Sequence, residues 1–249
     1  MKLPMATAAA LVMMVATAAQ ADPRLDEKVY DPYVRNHVLE VETRFARESG
    51  GPLDRSSATV AELEYGLSDT LSLAALGKIA GGGGEPTRLR GIGIEAVYAL
   101  GQIPGLGVDV GLYGEVMEGV NGDDSALEGK LLFAKQAGPV QALLNLIVER
   151  PLHVPGEAYG SYGYAGSVTV RAAKGLRLGV QAFGDLGSDH AFLKGRQGAY
   201  VGPALLWEGR PRNAPVELEV GLGWLKSVGA STKEADSQLR VTVELERRF

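Results

Sequence analysis

Residues 238–249 read QLRVTVELERRF. Leu239, Val241, Val243 and Leu245 fall on one parity, and Gln238, Arg240, Thr242, Glu244 and Glu246 on the other. Strict alternation marks a strand with two unlike faces. The pattern recurs in HVLEVETRFA (37–46), TVAELEYG (59–66), GIGIEAVYAL (91–100), VDVGLYGEV (108–116) and VQALLNLIVE (140–149). It returns in SVTVRA (167–172), LRLGVQAFG (176–184), YVGPALLWE (200–208) and VELEVGLGWL (216–225), with weaker versions near 70–79 and 126–135. The count is about twelve strands of roughly 9–13 residues, separated by turn-forming stretches such as GLSD, QIPGLG, QAGP and AKG. Gly, at 34 residues spread along the chain, disfavours long helices.

Two all-β solutions fit alternation. A soluble sandwich buries one face of each strand and wets the other. A membrane barrel turns its apolar face to lipid and its polar face to a lumen. Residues 1–21, MKLPMATAAALVMMVATAAQA, carry one Lys, an apolar run from Ala6 to about Ala18, and Ala19-Gln20-Ala21. That is the form of a secretory signal cleaved after Ala21, and the run is too short to span about 30 Å of hydrocarbon. The strands are long enough to cross when tilted, and their count is even. The even-numbered connections are mostly the tighter ones, EGRPRNAP excepted, as periplasmic turns are. The expected fold is therefore all-β: an antiparallel transmembrane β-barrel of about twelve strands in the cell outer membrane. Residues 1–21 form the signal peptide, 22–36 a polar periplasmic lead and 37–249 the barrel. The GGGGEPT stretch (81–87) lacks the G-K-[ST] of a phosphate loop and is expected to be a flexible hairpin loop.

Phe249 and the alternate positions Leu245, Val243, Val241 and Leu239 resemble the outer-membrane β-signal, which the barrel assembly machinery reads; Arg247 departs from it. The resemblance implies that machinery as a partner. LEYGLSDTLSL (63–73), LLNLIVER (143–150), AFGDLG (182–187) and YVGPALLW (200–207) resemble segments of a group of proteobacterial outer-membrane proteins. That group is loosely placed with transporter barrels of the phenol-degradation MetA type. This likeness implies a barrel and transport, and carries no substrate and no catalytic residue.

Parity assigns the faces. Leu39, Val41, Leu63, Ile94, Leu146 and Leu222 are expected to point outward, with Tyr65, Tyr98, Phe133, Trp207 and Phe249 forming a girdle near the periplasmic strand ends. Inward, glutamates come in i, i+2 pairs that share a face: Glu40 and Glu42, then Glu62 and Glu64, then Glu217 and Glu219, then Glu244 and Glu246. Closure sets the last strand beside the first, so the four pairs make one acidic wall in the periplasmic half. Arg171, Arg177 and Arg240 are the expected basic lining, with Arg44 and Arg248 on the same wall. Buried carboxylates need partners, so this wall is either a salt-bridged filling or a cation-favouring constriction.

The formal charge of −5 becomes about −6 once Lys2 is removed with the signal; with no basic block, no nucleic acid is expected as partner. The chain has no Cys, so disulfides and thiolate metal sites are excluded. His37, His153 and His190 show no ligand spacing, and neither Ser161 nor Ser167 shares a wall with a His. The expectation is no enzyme, no cofactor and no metal. It is a narrow passive pore for small solutes, favouring cations and embedded in outer-membrane lipid. The alternative is a closed structural or surface-interaction barrel without a through-path.

Overall fold

A computed structural model describes residues 25–82, 84–152, 159–195, 197–211 and 215–249. The expected signal segment, and His153 with it, lie outside them. Twelve strands follow in order: β1 (Val38–Ser49), β2 (Ser57–Gly66), β3 (Leu71–Gly82), β4 (Glu85–Ile103), β5 (Val108–Gly119) and β6 (Ser125–Ala137). Then come β7 (Val140–Leu152), β8 (Ser161–Ala173), β9 (Leu176–Ser188), β10 (Gly198–Gly209), β11 (Glu217–Gly229) and β12 (Ser237–Arg248). Each pairs antiparallel with its sequence neighbours, and β12 pairs with β1, so the sheet closes into a barrel. Closure pairs every strand edge, which a membrane demands because hydrocarbon offers no hydrogen-bond partner.

Alternation does the sorting. Outward-pointing Val41, Leu63, Ile94, Leu146, Val180 and Leu222 remain exposed as large apolar side chains, while inward Val60, Leu132, Tyr200 and Leu225 are buried. An exposed apolar belt on every strand is the mark of a transmembrane barrel and rules out the soluble sandwich. Short turns at 138–139 and 174–175 lie at the end where β1 begins and β12 finishes, the periplasmic end. There Phe249 N–H donates to the His37 carbonyl (2.9 Å).

Two features differ from the sequence expectation. Much of the 81–87 stretch expected as a flexible hairpin loop is strand: β3 and β4 stay paired as far as Gly82 opposite Glu85, and β4 runs for 19 residues. Gly81 and Gly82 are paired although the alternation lacks apolar letters there. The second concerns the lead. Residues 25–36 do not hang in the periplasm; they run inside the barrel, from the far half down to the periplasmic rim. Among the described residues no connecting loop fills the barrel, but its own N-terminal segment does.

Candidate functional site

The wall is built by register. Pairing of β1 with β12 sets Glu40 opposite Glu246 and Glu42 opposite Glu244. Pairing of β1 with β2 sets Glu40 opposite Glu64 and Glu42 opposite Glu62. On the other side, Glu217 faces Glu246 and Glu219 faces Glu244. The carboxylates thus form two parallel rows across β2, β1, β12 and β11, with neighbours about 4.8 Å apart in a row and the rows about 7 Å apart. Both rows lie toward the periplasmic end, since Glu217 opens β11 and Glu246 nearly closes β12.

Like charges placed opposite one another repel, so this arrangement stands only with counter-charge. Arg44 Nη1 donates to Glu42 and Glu62, each at 2.6 Å. Lys28 Nζ adds 3.0 Å to Glu42 and 3.4 Å to Glu62. Arg35 pairs with Glu246 and stands 3.8 Å from Glu244. Glu217 meets Arg210 at the exposed rim (3.1 Å). Among the described residues Glu40, Glu64 and Glu219 make no ion pair, and they face a cavity of about 230 Å³ between the lead and the wall.

Two of those cations come from the lead, whose charges complement the lumen level by level. Its acidic part meets barrel bases: Asp26 pairs with Lys78, and Glu27 with Lys130, while the Asp26 and Glu27 carbonyls accept from Arg44 Nε (2.9 Å) and Arg240 Nη1 (2.6 Å). Its basic part meets barrel acids, as above. At mid-height Asn145 clamps it: Tyr30 N–H donates to Asn145 Oδ1 (2.7 Å), and Asn145 Nδ2 donates to the Tyr30 carbonyl (2.8 Å). The Tyr30 ring packs on Tyr113 with centroids 4.6 Å apart, among buried Val97 and Leu132. The barrel yields room through glycine. A Cβ on Gly66 would stand 2.0 Å from the Arg35 carbonyl oxygen, and one on Gly111 2.9 Å from Pro32 Cβ.

Arg240 is buried, with its guanidinium 3.8 Å over the Phe183 ring and hydrogen bonds to Gln238. Arg177 is also buried, bonded to Thr169 Oγ1 (2.9 Å). Arg171 faces Arg177 across the β8–β9 pair but is exposed at the rim, as is Arg248 at the end of β12. His37 bonds Tyr65 (3.0 Å) at the periplasmic rim, and His190 packs edge-on against Tyr159 beyond the far end. Ser167 lines the cavity at the wall, and neither histidine does.

Sequence reasoning missed four glutamates. Glu95, Glu115, Glu128 and Glu149 lie directly opposite one another across β4, β5, β6 and β7. Each has inward parity, but none has a second Glu two residues away, so the i, i+2 signature was lacking. Glu115, Glu128 and Glu149 line a second cavity of about 550 Å³ in the far half, with Glu48, Asp123 and Asp124 against the bases Lys78 and Arg90.

No protein-family model matches the sequence, and no curated protein matches it either. Solved structures do. The NanC porin superposes with a TM-score of 0.53 at 10% identity, covering 84% of this chain and 100% of that one. The KdgM porin, solved in complex with disordered oligogalacturonate, gives 0.52 at 11% identity, covering 84% of this chain and 99% of the other. At such identity the likeness is one of fold: a closed barrel of the outer-membrane porin architecture.

Proposed function

We propose that the chain is an outer-membrane barrel that passes small solutes by diffusion and favours cations. The observation that carries this is the paired rows of glutamates at the periplasmic mouth, three of which face a cavity and make no ion pair among the described residues. Carboxylates lining a narrow passage lower the local potential, as acidic rings do in cation channels. The porin names of the structural neighbours and the resemblance to transporter-like outer-membrane proteins fit the same reading. So do the expected export signal and the C-terminal strand that the assembly machinery would read.

The lead favours a second reading: a closed, structural barrel whose acids are salt-bridge filling. Passage then requires the lead to shift. Planar-bilayer recording decides between the two. The pore reading expects discrete ionic current from the purified protein; a barrel that inserts, stays folded and never conducts supports the closed reading.

A further inference from the structure

We infer that the lumen carries a continuous carboxylate track for linear oligocations, solutes with several ammonium groups on a flexible chain, and that the lead is its resident occupant. The inference rests on the pore reading for access to the lumen. The periplasmic rows and the β4–β7 glutamates belong to one path. From the rim, Glu217 faces Glu246, Glu246 faces Glu40, and Glu40 faces Glu64. Ala74 on β3 faces both Glu64 and Glu95. From Glu95 the row passes to Glu115, Glu128 and Glu149. A single small residue interrupts a row that crosses nine consecutive strands.

Such a row climbs. Barrel strands tilt by about 35–45°, so a line perpendicular to them winds upward around the lumen. Steps of about 4.8 Å over this path rise by about 25 Å, the height of the apolar band itself. The ends agree, because Glu217 is the first residue of β11 and Glu149 lies near the far end of β7. The track therefore connects the two cavities that the lead separates.

Two observations point to a cationic ligand. Glu95 Oε1 is buried without a hydrogen-bond partner among the described residues, in a residue 3% exposed, while Glu244 Oε1, in a residue 8% exposed, has only Arg35 at 3.8 Å. Each sits in a trio of carboxylates with ligand oxygens within 4.8 Å: Glu62, Glu64 and Glu95 in one, Glu40, Glu244 and Glu246 in the other. Where the lead reaches the acids, it offers an ammonium and a guanidinium, Lys28 and Arg35. The ammonium groups of Lys28 and Lys130 also lie over the Tyr30 ring, both at 4.4 Å, a second mode of ammonium recognition. The geometry favours an oligocation over a metal ion, since Ca²⁺ takes six to eight oxygens in one shell. A line with one carboxylate per strand instead matches ammonium groups joined by three- or four-carbon spacers.

Spermine is the probe. Calorimetric titration into the detergent-purified protein at low ionic strength should show binding. Glu64→Gln, Glu95→Gln and Glu115→Gln should each weaken it about tenfold, the usual worth of a charge-assisted hydrogen bond. Glu48→Gln, a luminal acid off the row and bonded to Tyr200 and Gln238, should change it little. Lys28→Gln with Arg35→Gln removes the resident cations and should tighten it. Heat-modifiable gel migration verifies closure of every variant. Because the chain has no cysteine, Asp26→Cys with Lys78→Cys can be bridged by a bis-methanethiosulfonate to lock the lead in place. Locking should abolish spermine binding and reduction restore it. Binding that is absent, or indifferent both to on-row substitutions and to the lock, overturns the track. Binding that follows the row while no variant conducts in bilayers sinks the pore reading and leaves the track standing.

Discussion

Gly66 shows how little space separates the lead from the wall. The missing side chain lets the Arg35 carbonyl pass at a distance no Cβ would permit. Gly66→Ala should leave the barrel closed and expel the lower lead. Trypsin in mild detergent checks this: Arg35 should be spared in the wild type and cleaved in the variant, and equal protection would contradict the placement. Lipid-facing residues make a separate prediction. Ile94, 66% exposed near the middle of β4, should lose about 2–4 kcal/mol on substitution by Arg if it lies at the bilayer midplane. Val220 lies opposite Trp207 near the periplasmic start of β11, so Arg there should cost only about 0–1 kcal/mol. Chemical unfolding in liposomes measures both, and equal costs would mean that the assigned depth is wrong.

The lead is the element whose role was least legible in the sequence. Its charges read as a solvated tail because their partners lie far along the chain: Glu246 for Arg35, Asn145 for Tyr30. The strands were legible for the opposite reason, since a period of two is a local signal that fixes faces. Asn145→Leu should release this element. It strands the Tyr30 N–H and carbonyl, a penalty of about 1–3 kcal/mol for each unsatisfied group. Hydrogen exchange should then quicken across residues 29–31 while β6 and β7 stay protected; unchanged exchange would mean that Asn145 is no clamp. A pH test belongs to the connection after β9. Asp189 accepts from the Tyr162 hydroxyl (2.7 Å) and Gly160 N–H (2.8 Å), and these bonds hold its carboxyl below the usual range. A depressed folded pKa contributes stability above the unfolded value of about 3.9 and loses it as pH falls through the folded one. The Gly160 amide should therefore stay protected in mild acid; loss of protection well above that value would contradict the tie.

On the scale of the whole molecule, closure pairs every edge strand, and the unpaired alternative in lipid is costly. Part of the lumen was legible in the same way as the exterior. Parity and closure place the eight paired glutamates on one wall without any knowledge of register. The longer row was not legible, because a slip of two residues preserves every face yet breaks every row. Bulges at Lys78/Ile79 and Ala99/Gly101 shift the register where β3 and β4 join the two halves of the row. On the proposed function these acids face a path open to ions. The direct test is the reversal potential of the purified protein in a planar bilayer under a KCl gradient, beside that of Glu40→Gln/Glu64→Gln/Glu219→Gln. The wild type should show K⁺ preference that fades toward about 1 M salt, where the Debye length falls to roughly 3 Å, and the variant should lose most of it. A conducting wild type with no cation preference, or one whose preference the three substitutions leave intact, would contradict the account.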